Sequence, residues 1–201
     1  MHRAITVALV SAISFAAIID RVAIVVDNHP ILDSAINRDI RITSFLNRAK
    51  PDLTHASRKQ AASRLIDQEL IRAEIRTGDY PVAPDHEAAG LLAQIKKDRL
   101  DYGQALLRAG ITEDELNDRL LWQMTVLRFI DTRFRPGVNV TSEEIAQYFN
   151  AHRAQFPGTL EEAGAKVGDF LTGEQVNQAL DEWLRQKRQE TRIDYLEKTL
   201  Q

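Results

Sequence analysis

The residues able to do covalent or metal chemistry are few and scattered. The five histidines are His2, His29, His55, His86 and His152. No two lie four residues apart on one expected helix, and none sits in an H-E-x-x-H pattern, the spacing that puts two imidazoles on one zinc. The chain has no cysteine, which removes thiolate nucleophiles, disulfides and Cys-ligated zinc. It contains no G-x-S-x-G elbow, P-loop or G-x-G-x-x-G turn, so the frameworks for serine nucleophiles and phosphate cradles are missing. The acid pairs Glu143-Glu144 and Glu161-Glu162 open expected helices, where the macrodipole accounts for them. Asp114-Glu115, and Asp67 with Glu69, have no nucleophile beside them. Asn139-Val140-Thr141 matches the short N-glycosylation pattern. The sequence predicts no catalytic residue, no cofactor and no metal site.

What remains is apolar recognition. From Glu113 to about Phe134 runs a stretch rich in large apolar side chains. Leu116, Leu120, Met124, Leu127 and Ile130 form one stripe at helical spacing, and Leu121, Trp122, Val126 and Phe129 add apolar surface outside it. A helix apolar on more than one side needs burial on more than one side, or a partner. Trp122, Met124, Val126 and Phe129 are therefore the candidates for holding an apolar segment of another polypeptide.

The elements that must position them read as helices. The 201 residues include Gly 9, Pro 6 and 6% aromatics, against 44% hydrophobic residues. Few breakers and few aromatics favour helices over a turn-rich β fold. Lys+Arg 26 against Asp+Glu 29 leaves a formal charge of −3, without the basic excess of a nucleic-acid binder. Met1-His2-Arg3 precedes an uncharged run from Ala4 to Ile19 with small residues at Ser14, Ala16 and Ala17. This pattern predicts a secretory signal over residues 1–17, the alternative being an uncleaved membrane anchor. Export suits a chain with no thiols.

Val22–Val26 is β-branched and predicts a strand, Asp27-Asn28-His29-Pro30 a turn, and Ile31-Leu32 a returning stub. Asp33 or Ser34 is the expected cap of a helix reaching Leu46. A second helix begins near Thr54 or Ser57 and ends at Thr77-Gly78. A loop with two prolines follows at 80–84, then helices from Asp85 to about Leu100 and from Tyr102 to Ala109. Thr112 with Glu115, and Thr141 with Glu144, have capping-box spacing. The helix after Thr141 presents Ile145, Tyr148 and Phe149 and stops at Phe156-Pro157-Gly158. A short helix is expected at Leu160–Ala165 and a long one from Thr172-Gly173 to about Thr191, with Val176, Leu180, Trp183 and Leu184 as its stripe. Arg192 to Glu197 alternates charged and apolar residues, which predicts an edge strand pairing with Val22–Val26. The expected fold class is mainly α, a helical bundle with a small β element joining the two ends.

These pieces occur in a recognisable order. Asp20-Arg21-Val22-Ala23-Ile24-Val25-Val26-Asp27-Asn28-His29-Pro30-Ile31-Leu32 is followed by Ala62-Ser63-Arg64-Leu65-Ile66-Asp67-Gln68-Glu69-Leu70-Ile71. Then come Thr112–Leu116, Leu120–Met124 and Val140–Asn150. The chain resembles the N-terminal chaperone domain of SurA-type periplasmic proteins. In that family a "D-R-V-A-V-V-N-x-x-I-I" strand pair follows the signal and precedes an "L-I-x-x-x-L-I" helix. The resemblance implies one domain over 18–201. Residues 18–135 would form its N-terminal part and 141–201 its returning helices. It also implies a periplasmic, ATP-independent chaperone role, with unfolded or partly folded exported chains as partners, outer-membrane proteins among them. Nucleic acid is not an expected partner, and a membrane only if the leading segment is retained. The family commonly inserts parvulin prolyl-isomerase domains before its last helix. Here the helical residues after Asn150 leave no room for the parvulin sheet and its Gly-rich loops, so the expectation is a non-enzyme. The other readings are an exported helical scaffold for one dedicated partner, and an isomerase-family member with residual activity.

Overall fold

Val22–Val26 forms β1, His29–Leu32 β2 and Ile193–Tyr195 β3, in a computed structural model that describes residues 20–201. The expected signal, residues 1–17, lies outside the described residues. The strands form an antiparallel sheet in the order β2-β1-β3. Val26 pairs with His29, so the hairpin loop is only Asp27-Asn28, tighter than the four-residue turn expected. Asp27 adopts φ 51°, a left-handed conformation that aspartate tolerates better than most residues. Pro30 pairs opposite Val25 in an edge strand, the position in a sheet where a missing N–H is tolerated. The expected pairing of the C-terminal segment with β1 is present: Ile24 faces Tyr195 and Val26 faces Ile193.

Helix α1 spans Asp33–Leu46 and α2 His55–Thr77. The sequence predicts Asp33 or Ser34 as the cap of α1. Instead Leu32 is the N-cap residue, and the Asp20 carboxylate accepts hydrogen bonds from the Ser34 backbone N–H and hydroxyl. A distant carboxylate thus satisfies the orphan donors that a local cap would. At the start of α2, Thr54 accepts from Ser57 N, and Asp52 accepts from Thr54 N and Ser57 Oγ. Gly78 follows α2 where the Tyr80 ring would collide with any Cβ.

Next come α3 (Asp85–Lys97), α4 (Tyr102–Ala109), α5 (Glu113–Arg133), α6 (Ser142–Ala151) and α7 (Leu160–Glu190). The α3 helix stops short of the predicted Leu100. The α7 helix corrects a second expectation. It is one unbroken helix of 31 residues, not a short helix followed by a long one. A third capping box, Thr159 with Glu162, starts it. Gly164 and Gly168 let the Ile145 side chain of α6 approach the helix backbone closely, so these glycines serve packing and do not break the helix.

The core is divided. One cluster joins Ala23, Ile24 and Val26 of β1, Ile36 and Ile40 of α1, Ile66 and Leu70 of α2, and Leu200. A second joins Phe45 of α1 with α3, α4 and the Leu116-Leu120 half of α5. A third joins Ile71 of α2, Phe129 of α5 and Val176 and Trp183 of α7. A fourth holds α6 to the first half of α7 through Phe149, Phe156, Ala163 and Val167.

This division corrects the α5 stripe. Its buried residues are Leu116, Leu120, Thr125 and Phe129, and Leu127 is 62% exposed. At about 100° per residue, the first pair and the second pair point to opposite sides of the helix. The N-terminal half of α5 serves the second cluster and its C-terminal half the third. No single stripe describes a helix that changes its buried side midway.

Polar ties hold the pieces together. The Asp39 carboxylate of α1, 3% exposed, accepts Arg64 Nη2 of α2 at 2.6 Å and also pairs with Arg119 of α5. Arg188 of α7 binds Asp67 at 2.7 Å and the Ser63 carbonyl at 2.8 Å. Arg58 bridges Asp33 at 2.6 Å and Glu197 at 2.9 Å. Removing one partner of a buried ion pair leaves an uncompensated charge. Asp39→Ala is expected to destabilise the fold by about 3 kcal/mol, read from urea unfolding.

The caps carry a pH dependence. Hydrogen bonds from the backbone and then the hydroxyl of Thr141 hold the Glu144 carboxyl below its ordinary range, and Thr159 does the same for Glu162. The hydroxyl and then the backbone N–H of Ser34 lower Asp20. Because folding depresses these groups, their stabilisation is present above the ordinary values of 4.5 for Glu and 3.8 for Asp. It is lost as pH falls through and below those values. The urea midpoint is expected to hold between about pH 7 and 5 and to fall below about pH 4.

Candidate functional site

The two halves of α5 leave part of its surface uncovered. On the side that buries Thr125 and Phe129, α7 covers Phe129 through Trp183, whose rings lie 5.6 Å apart. One to two turns earlier the same side carries Asp118, Leu121 and Trp122. These residues face α2 across a cavity of about 410 Å³, which Arg72, Ile75 and Val82 also line. A second cavity of about 230 Å³ adjoins it and runs toward Ala35 and Ile42 of α1. Arg72, Asp118 and Trp122 line both. Together they form one groove along α2 and α5 with Trp122 at its waist.

Local contacts set this geometry. The Arg72 guanidinium lies over the Trp122 ring at 4.4 Å and also pairs with Glu69 at 3.4 Å. Such a stack holds the indole in place while its remaining surface stays open. Val82, 63% exposed, projects from the proline-bounded loop at 80–84. That loop is pinned to α5, because the Ala83 N–H donates to the buried Thr125 hydroxyl at 3.1 Å. Thr125 is therefore a buried polar group with its partner supplied. The groove has an apolar floor of Trp122, Leu121 and Ile75, and cations at its edge from Arg72 and Arg76. It can hold an apolar side chain and donate hydrogen bonds to main-chain carbonyls beside it.

The four candidates from the sequence separate. Trp122 lies in the groove. Val126 is half-buried and packs against the third cluster. Phe129 is 0% exposed and sits edge-on against Tyr80 at 4.9 Å and Phe134 at 5.8 Å. It is a core residue and cannot meet a partner on the surface, which corrects its place among the candidates. Met124 is half-buried and lines neither half of the groove. Its two-residue offset from Trp122 turns it about 200° around the helix. Arg72, Ile75 and Val82 of the groove escaped the sequence reading. The one local signal was Val82, an apolar residue between two prolines with no strand or helix to bury it.

Among the described residues no group of three or more His, Cys, Asp or Glu side chains could hold a metal ion. His152 stacks on Tyr148 with centroids 3.9 Å apart, its Nδ1 2.9 Å from the Tyr148 carbonyl. His29 lies against Arg76 and Glu69. Both histidines are engaged by their neighbours.

No protein-family model matches the chain, and no curated protein matches it. The SurA-type resemblance accordingly rests on the sequence segments quoted above.

The groove and the core should respond differently to truncation. Phe129→Ala is expected to cost about 3–5 kcal/mol of stability, as large buried aromatics do. Trp122→Ala should cost only about 1 kcal/mol, mainly its stack with Arg72 and partial burial. Urea unfolding of the two variants checks this difference.

Proposed function

We propose that this protein binds unfolded or partly folded exported polypeptides and keeps them from aggregating, without nucleotide hydrolysis. The observation that carries this reading is the open groove between α2 and α5, with Trp122 stacked under Arg72 and an apolar floor continuing to Val82. An extended segment would place an apolar side chain against Trp122. The edge guanidiniums would meet its carbonyls, contacts that do not depend on the client's sequence. Binding of this kind competes with aggregation by occupying exposed hydrophobic segments.

The SurA-type order of segments supports the same reading and brings the periplasm as the compartment, through the signal expected at 1–17. Outer-membrane proteins are the clients the resemblance suggests. The action is binding, not catalysis. Only residues 152–159 separate α6 from α7, so no parvulin-sized insertion stands between those helices. Among the described residues no helix is long and apolar enough to cross a membrane.

The test is light scattering during dilution of an unfolded outer-membrane protein into buffer. The exported chain is expected to suppress aggregation at stoichiometric amounts, and Trp122→Ala to lose most of that protection while unfolding near the parent's midpoint. No suppression by the parent, together with stoichiometric capture of a single partner, would replace this reading with that of a dedicated scaffold.

A further inference from the structure

A third cavity lies away from the groove and shares no lining residue with it. It encloses about 500 Å³ between the end of α1, the residues that follow it, and α4. That volume falls in the range of roughly 300–1,000 Å³ typical of small-molecule sites. Its interior is apolar, made by Phe45, Ala49, Pro51, Ala105 and Ala109. Its polar lining is cationic, from Lys50, Arg99 and Arg108, and no carboxylate lines it.

The two guanidiniums are held in place before any ligand arrives. The Arg99 guanidinium stacks over Phe45 at 4.3 Å and donates to the Phe45 carbonyl at 2.8 Å, and its side chain is only 18% exposed. Asp101 pairs with both Arg108 and Arg99, so one carboxylate is shared by two guanidiniums. Lys50 has no ion-pair partner among the described residues. The other carboxylates close by in the chain are occupied. Asp98 accepts from Gln94 at 2.9 Å, and Asp52 accepts from Thr54 and Ser57 at the start of α2.

The geometry points to a binding site for a small amphipathic carboxylate, one anionic group on an apolar body. An inorganic anion would leave the apolar interior unfilled. A neutral apolar molecule would fill it but leave Lys50, and the guanidinium charge in excess of the one Asp101 carboxylate, without a counter-charge. A carboxylate suits the fork of a guanidinium held on an aromatic ring.

Isothermal titration calorimetry on the whole exported chain tests this with octanoate, octanol and acetate as three separate probes. Octanoate is expected to bind saturably with one site, and octanol and acetate at least about tenfold more weakly, since each lacks half of the complementarity. The double variant Lys50→Gln/Arg108→Gln changes exposed side chains, and circular dichroism confirms its fold. It should weaken octanoate about tenfold and leave octanol unchanged. Trp122→Ala should leave octanoate binding unchanged, which separates this site from the client groove. Absence of saturable octanoate binding, octanol binding as tight as octanoate, or an unaltered affinity in the double variant would overturn the proposal. A loss caused by Trp122→Ala would do the same.

Discussion

A single buried carboxylate constrains the arrangement of the three helices around which the molecule is built. Asp39 sits on α1 with almost no access to water, and the guanidiniums of Arg64 on α2 and Arg119 on α5 meet at its two oxygens. A charge in that position is tolerable only with its partners present, because desolvation costs more than a lone charge can recover. The three helices can therefore slide or rotate past one another only by breaking charge-assisted hydrogen bonds in a poorly solvated place. The apolar clusters supply the larger part of the driving force, yet they are non-directional. The ion triad supplies direction, fixing which face of each helix meets the others.

That fixed arrangement explains how α5 is used. Its first half is buried among α1, α3 and α4, and its second half, on the opposite side, among α2 and α7. A helix that changes its buried side needs apolar residues all round, which is how its sequence reads. Where the second cluster has ended and α7 has not yet reached the other side, Trp122 and Leu121 stay only half-covered. The groove is thus a consequence of the packing: it is the uncovered start of the third cluster, kept open because α7 turns onto α2 further along and is tied there by Arg188.

The closing of the chain on itself follows the same economy. β3 completes the sheet on β1, Glu197 joins Arg58 and Asp33, and Leu200 fills the cluster beneath the sheet. Residues from both ends of the described chain hold one small core, so the hairpin of α6 and the first half of α7 can carry its own aromatic cluster outside it.

The sequence by itself determined the local elements. Val22–Val26, the alternation after Arg192, the Thr-x-x-Glu boxes and Gly110 (φ 66°) each act through backbone preference or a cap within a few residues. Such signals are legible because both partners lie within one turn. It also marked Trp122, through an excess of apolar residues on one helix. It misplaced Phe129, because which side of an all-round apolar helix is covered depends on helices far away in the chain. For the same reason the cap of α1 from Asp20, the continuity of α7 through Gly164 and Gly168, and the stacking of Arg72 on Trp122 were decided only by the tertiary structure. Each joins groups whose proximity exists only after the helices have packed, and no local preference encodes it.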